Sequence, residues 1–342
     1  MRAASSPRLP LGQILTGDVR SRLPGLPTAS VDTVITSPPY FALRDYGHRQ
    51  QLGLEHDIHE WVTDLIGVCR ELARVLKPSG SLWLNVADQY SAHQREGAVK
   101  KSLLLGPQRL AIALLEDGWI VRNQVVWAKT NPIPSSVGDR LSCAHEVIFL
   151  LTRSPRYFFD LDVIRQPLIT HASKRPRAVE YQYLPDPVMP VSGEVDDNRG
   201  LNRLKAEGRA GHPLGKNPTD VWHLPTAAYR GAHFATFPLS LAERMLLATC
   251  PEKVCVTCGV PWEREAVDRA AMQPRIGALQ PACTCNPDSE AGVVFDPFVG
   301  SGTVALAAET HGRQWSGIEL NPAYVALAKR RLSEWRQRAP SA

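Results

Sequence analysis

The sequence predicts an α/β protein built on a doubly wound, mostly parallel sheet, and three observations predict it. Short β-branched runs alternate with apolar stretches at helical spacing along most of the chain. A glycine-rich turn joins the strand-like Gly292-Val293-Val294-Phe295 to the alanine-rich helical stretch Thr303 to Glu309. The next strand-like run, Trp315-Ser316-Gly317-Ile318, ends on an acid, Glu319. At 342 residues and 44% hydrophobic content, the chain can bury one large core with an insertion or two.

The elements follow in order. Arg2 and Arg8 lie among prolines and serines with no apolar core behind them, so residues 1–10 read as a short frayed N-terminus. Ser30-Val31-Asp32-Thr33-Val34-Ile35 is a buried strand that delivers Ser37 at its carboxyl end, where open parallel sheets carry their sites. Ile58, Trp61, Val62, Leu65, Cys69, Leu72 and Leu76 recur at helical spacing, and Lys77-Pro78-Ser79-Gly80 stops that helix. Ser81 to Val86 is then a strand, Leu103 to Gly118 a helical stretch, and Ile120 to Trp127 and Glu146 to Leu151 are further strands. From about Ile164 to about Gly215 the pattern breaks into a polar segment that contains Pro176, Pro185, Pro187 and Pro190. Lys174, Arg175, Arg177, Arg199, Arg203, Lys205, Arg209 and Lys216 make it basic, which suits phosphate contacts and equally suits a solvated linker. Leu239 to Ala248 is a helix, and no internal repeat occurs.

Two strings carry chemistry. In Thr36-Ser37-Pro38-Pro39-Tyr40 the prolines fix φ near −65° and remove two backbone donors, so the Ser37 hydroxyl and the Pro38 carbonyl form an accepting edge. Such an edge pulls the nitrogen of a planar aromatic amine toward a reactive geometry. Tyr40 offers a ring face to an unstacked base. A Pro-Pro turn with a packed tyrosine is the competing account. In Phe295-Asp296-Pro297-Phe298-Val299-Gly300-Ser301-Gly302-Thr303, Gly300 and Gly302 let backbone approach a ligand, Asp296 can meet an ammonium, and Glu319 can take a ribose hydroxyl pair. A Walker loop is excluded, because no Gly-Lys-Ser/Thr follows; a nucleoside without phosphates is the better ligand.

These blocks together resemble the S-adenosylmethionine-dependent DNA amino-methyltransferases, cytosine-N4 or adenine-N6 type, in the beta-class order with the catalytic block ahead of the cofactor block. The likeness runs from about Ile14 to about Leu332 and includes Thr16-Gly17-Asp18, His233 to Pro238 and Glu319-Leu320-Asn321-Pro322. It implies a Rossmann-like methyltransferase fold with an inserted DNA-recognition region. It implies catalytic Ser37, Pro38, Pro39 and Tyr40. The cofactor-binding set it implies is Asp18, Thr36, His233, Phe234, Thr236, Phe237, Asp296, Phe298, Gly300, Ser301, Gly302, Thr303, Glu319 and Asn321. The expected organisation is a catalytic half at 11–160, a target-recognition insertion at 161–220, a cofactor-lining segment and helix at 221–250, a cysteine-bearing insertion at 251–290, a cofactor-binding half at 291–336 and a tail at 337–342.

Cys255-Val256-Thr257-Cys258 is a C-x2-C knuckle followed by Gly259, and Cys283-Thr284-Cys285 supplies a second pair 25 positions after Cys258. That spacing suits a structural zinc on Cys255, Cys258, Cys283 and Cys285 in a small zinc-ribbon-like insertion. A disulfide is the competing account, disfavoured in a cytosolic chain. Cys250 is expected outside the set, and Cys69 and Cys143 as core or surface thiols. The lobe is expected beside the cofactor pocket, within reach of DNA.

The net charge of +5 permits a polyanionic partner without demanding one. No apolar run approaches the roughly 20 residues of a membrane span, so no membrane partner and a cytoplasmic location are expected. The activity the resemblance implies is methyl transfer to a base flipped out of double-stranded DNA. The absence of any Pro-Cys pair argues against ring-carbon methylation. Ser at position 37, where the family's adenine enzymes lean to Asp or Asn, favours cytosine N4, with adenine N6 as the alternative. A catalytically inactive zinc-bearing DNA-binding protein and a small-molecule methyltransferase are further alternatives. The intact Ser37, Asp296, Gly300, Gly302 and Glu319 weigh against the former, and the long basic insertion against the latter. A restriction-modification setting with a cognate restriction endonuclease, and a monomer or homodimer, complete the expectations on partners.

Overall fold

The computed structural model describes residues 8–167, 212–227, 237–268, 274–285 and 288–338. β1 (Gln13–Thr16) leads into the one-turn helix α1 (Val19–Arg22), whose first turn is capped by the Asp18 carboxylate accepting from the Arg20 backbone N–H. β2 (Val31–Thr36) is buried at every position, as a central parallel strand covered on both faces must be. α2 (Ile58–Val75) starts where Asp57 accepts from the His59 and Glu60 N–H groups, and it buries Ile58, Trp61, Leu65, Cys69 and Leu72 on one stripe.

β3 (Leu76–Val86) begins earlier than its sequence suggests. Val31 pairs with Leu76 and Thr33 with Ser81, so 77–80, the expected helix stop, is carried as a bulge inside the strand. α3 (Gly106–Glu116), β4 (Ile120–Lys129), β5 (His145–Thr152), β6 (Val221–Leu224) and α4 (Leu239–Thr249) follow. Four two-residue strands, β7 (Val254–Cys255), β8 (Glu263–Arg264), β9 (Leu279–Gln280) and β10 (Ser289–Glu290), lie between α4 and β11 (Val293–Asp296). α5 (Thr303–Thr310), β12 (Gln314–Glu319) and α6 (Pro322–Arg338) complete the described chain.

Among the described residues the main sheet has the order β1-β12-β11-β2-β3-β5-β4-β6. Neighbours from β1 through β3 are parallel, β4 is parallel to β6, and β5 alone runs antiparallel, between β3 and β4. This is the mostly parallel, doubly wound sheet that the sequence predicts. One hydrophobic cluster fills the α2 and α3 face around Trp61, Leu72 and Phe149; the other fills the opposite face around Trp83, Leu246 and Ala307. Each fully buried leucine of these layers contributes roughly 1.5–3 kcal/mol. Because β5 is reversed, its amino end lies on the same rim as the carboxyl ends of β2, β3, β4, β11 and β12. That rim collects the strand-end residues Thr36, Glu146, Asp296 and Glu319.

Two departures from the sheet close on themselves. Gln166 and Lys216 exchange backbone hydrogen bonds of 3.0 and 2.9 Å, so the chain leaves and returns at one point. The segment expected to read DNA, 161–220, lies for the most part outside the described residues, including all its basic residues from Lys174 to Arg209. Likewise the Gly292 N–H donates to the Pro251 carbonyl at 3.1 Å, pinching off the cysteine-bearing stretch. Among the described residues no helix is long and apolar enough to cross a membrane.

Candidate active site

The cavity of about 760 Å³ at the carboxyl rim is lined by both sequence blocks, Ser37 to Tyr40 on one side and Asp296 to Ser301 with Glu319 to Asn321 on the other. Asp18, Phe237 and Thr303 also line it. Thr36 stands one layer behind, buried, with its hydroxyl donating to Asp296 Oδ1 at 2.8 Å. Gly302 likewise shapes the wall from behind: its φ of +78° starts α5, and an added Cβ would come 3.0 Å from the Ala328 Cβ. His233, Phe234 and Thr236 lie outside the described residues.

Asp296 is 4% exposed, and burial pushes its carboxyl up to about 7 against the opposing hydrogen bonds from the Phe298 N–H (3.0 Å) and Thr36. Glu319, also raised by burial, uses both oxygens on backbone: Oε2 accepts from the Gly300 N–H at 2.7 Å and Oε1 from the Asn321 N–H at 2.8 Å. One acid thereby fixes the glycine turn and the strand end together. Asp18 is held to Arg20 by a 2.8 Å ion pair and sits below its usual carboxylate range; burial opposes that shift, and the Arg20 hydrogen bonds overcome it. Tyr46 and Tyr324 meet edge to face, centroids 6.3 Å apart, in the same wall. A buried carboxylate pair beside a close-approaching glycine turn and aromatic faces fits a ligand with an ammonium, a sugar diol and a planar base.

On the other side, a set of polar groups that the sequence reading did not assign to the site meets the Ser-Pro-Pro-Tyr block. Ser37 Oγ lies 2.8 Å from Tyr40 Oη, which donates to Glu146 Oε2 at 2.7 Å. Asn85 Nδ2 donates to both Tyr40 Oη (2.9 Å) and Glu146 Oε2 (2.8 Å), and Lys129 Nζ donates to Glu146 Oε1 at 2.6 Å. Burial, then the Glu146 charge, hold the Tyr40 phenol well above its ordinary range, so it stays an O–H. The Pro39 carbonyl is already occupied by the Trp61 indole N–H at 3.0 Å. The sequence signal for Asn85, Lys129 and Glu146 was a polar residue at a strand end.

The four cysteines are brought together as expected: the sulfurs of Cys255, Cys258, Cys283 and Cys285 all lie within 4.8 Å of one another. Cys250 and Cys69 are buried elsewhere, Cys143 is exposed, and no disulfide joins any of the seven. The Cys255 thiol is drawn down to about 7 by the backbone N–H groups of Cys258 and Thr257, whereas hydrogen bonds with the Cys258 and Cys283 sulfurs push Cys285 up to about 12. Sulfurs so arranged are suited to a shared cation. The expected location is corrected, however. No described residue of 251–290 lines the cavity; the lobe joins the sheet at its amino rim, where Gly292 leads into β11 and Gly259 lies against the Lys77 stem. The reason is topological: the stretch connects the carboxyl end of α4 to the amino end of β11, and both face away from the cavity.

The model of the DNA methylase family matches residues 31–330. The type II methyltransferase M.SmaI of Serratia marcescens is 32% identical over 94% of this chain and 90% of its own length. M.Cfr9I of Citrobacter freundii is 32% identical over 93% and 87%. Among solved structures, the cytosine-N4-specific PvuII DNA methyltransferase is similar in fold, with a TM-score of 0.57 at 18% identity over 95% of this chain and 87% of its own. A DNA modification methylase of Thermus thermophilus, solved with S-adenosyl-L-methionine, has a TM-score of 0.52 at 24% identity over 94% and 93%.

Proposed function

Because the chain belongs to the N6/N4 DNA methylase family, we propose that it transfers a methyl group from S-adenosylmethionine to the exocyclic N4 of a cytosine flipped out of double-stranded DNA. The observation that carries this reading is the single cavity into which both blocks open, Ser37 to Tyr40 facing Asp296, Gly300 and Glu319. When bound there, S-adenosylmethionine supplies an electrophilic methyl on a sulfonium sulfur. Asp296 would take its ammonium, Glu319 its ribose hydroxyls, with Asp18, Thr36, Phe237, Phe298, Ser301, Gly302, Thr303 and Asn321 shaping the rest of its site.

Ser37, Pro38, Pro39 and Tyr40 hold the target amine. Alignment of that amine is the main catalytic contribution, because no covalent enzyme intermediate is needed to make an exocyclic nitrogen attack. The base leaves the stack at a cost of a few kcal/mol, which contacts in the cavity offset. Serine rather than an acid at position 37 favours cytosine; adenine N6 is the second reading, supported by the breadth of the family.

The same proposal assigns 11–160 and 291–336 as catalytic and cofactor halves, 161–220 as the segment that reads DNA sequence, and 251–290 as a lobe held by structural zinc. The type II names of the relatives support a restriction-modification setting with a cognate nuclease, and a cytoplasmic location and a monomer or homodimer complete the proposal. The test incubates purified protein with unmethylated genomic DNA and labelled S-adenosylmethionine, then identifies the labelled nucleoside by mass spectrometry. N4-methylcytosine is expected. N6-methyladenine would overturn the assignment of the base, and unlabelled DNA would overturn the activity.

A further inference from the structure

The directions of the hydrogen bonds around Tyr40 are forced, and they set what Ser37 offers to the base. An ionised carboxylate only accepts, so Tyr40 spends its one proton on Glu146. The Asn85 amide nitrogen only donates, so it enters Tyr40 Oη as a donor. The remaining partner, Ser37, must then give its own proton to Tyr40 Oη. Its lone pairs are left for the cavity that Ser37 lines. Lys129 Nζ donates to the other carboxylate oxygen, Glu146 Oε1, at 2.6 Å, so the acceptor that ends the chain is charge-paired from its far side.

We propose that Glu146 is the positioning residue of this reaction: it orients the Ser37 hydroxyl as an acceptor for the target amine and is the terminus of the proton that the amine gives up. The inference rests on the amino-methyltransferase reading. As the nitrogen forms its bond to the methyl carbon, the carbon–sulfur bond breaks and its electron pair stays on sulfur, leaving the nitrogen cationic. One N–H proton passes to Ser37 Oγ, the Ser37 proton to Tyr40 Oη, and the Tyr40 proton to Glu146 Oε2. The base ends neutral and methylated, and Glu146 ends as a carboxylic acid. A methylated, cationic ring amine is a strong acid, so even a carboxylate paired to Lys129 is base enough.

The test measures single-turnover methyl transfer to unmodified genomic DNA by wild type, Glu146→Gln, Glu146→Ala and Glu146→Asp, each saturated with S-adenosylmethionine, with cofactor affinity measured separately by calorimetry. The expected result is a rate about 100-fold lower in the Gln and Ala variants with cofactor affinity within about threefold of wild type. Added formate restores the Ala variant, and Asp restores part of the rate by itself. A rate within about threefold of wild type in Glu146→Gln overturns the inference, as does a slow Glu146→Ala that neither formate nor the Asp variant repairs. If wild type itself labels no DNA while binding cofactor, the parent reading fails and this one with it.

Discussion

At the carboxyl rim of the sheet, Ser37, Asn85, Glu146, Asp296 and Glu319 arrive from five different strands and are each held by hydrogen bonds inside a packed frame. At the amino rim, four cysteines arrive from one stretch of chain, between short ladders of two residues a strand. The first site is assembled by topology and would keep its shape empty. The second has little apolar core of its own and is suited to being shaped by what the sulfurs bind. Sites of these two kinds fail differently, and the largest test exploits that difference. Purified without chelator, the protein should carry one zinc per chain by elemental analysis, and Cys258→Ala should lose it. Structural zinc is worth ~10–16 kcal/mol of binding in small zinc modules, so its loss should open the lobe to protease. Cofactor affinity should stay within about threefold, because no described lobe residue lines the cavity. Metal-free protein with an intact, protease-resistant lobe would remove the contrast.

The seam between the two regions gives the next effect. Asp32 is 2% exposed and sits on β2 with Lys77 Nζ 2.9 Å from both its oxygens and the Val293 N–H at 2.8 Å. Lys77→Met removes the charge and leaves a buried carboxylate on one backbone donor, which should cost about 3–5 kcal/mol in urea unfolding. Burial already pushes the Asp32 carboxyl above its usual range, with Lys77 opposing. Without Lys77 the carboxyl takes a proton more readily, so the deficit should shrink as pH is lowered. The Asp32→Asn, Lys77→Met double variant should recover part of it. A loss under about 1 kcal/mol would mean that this pair does not hold β2 to β3.

What the sequence disclosed follows the same division. The Ser-Pro-Pro-Tyr and glycine blocks were legible because residue type and strand-turn-helix order carry their chemistry, and the cysteine pairs because ligand spacing is local. Glu146 and Lys129 were not, since their approach to Tyr40 depends on β5 running backwards between β3 and β4, a pairing that strand periodicity does not reveal. The gathering of the four cysteines was legible and the lobe's location was not, because location depends on which ends of α4 and β11 it joins. The bulge at 77–80 read as a plain stop for a related reason: proline and glycine mark a break, and the partner strand decides whether it becomes a turn or a bulge.

The smallest effect is a pH dependence confined to the carboxyl rim. Asp296 titrates at about 7 in the folded protein against an ordinary 3.8, so between those values the folded chain holds a proton that the unfolded chain has released. Stability of the ligand-free protein should therefore fall as pH rises through that window, the contribution being complete below the unfolded value and gone above the folded one. A ligand ammonium requires the ionised form, so cofactor affinity should rise with pH over the same window and level off above it. The slope approaches tenfold per unit, about 1.4 kcal/mol, well below the folded value. Asp296→Asn should bind weakly and lose this slope, and any slope that remains reports Glu319, whose carboxyl burial also raises. Calorimetry between about pH 5 and 7 reads both quantities. A wild-type affinity that is flat across that range would place the ammonium elsewhere, and would do so without disturbing the cysteine-bearing lobe at the opposite rim.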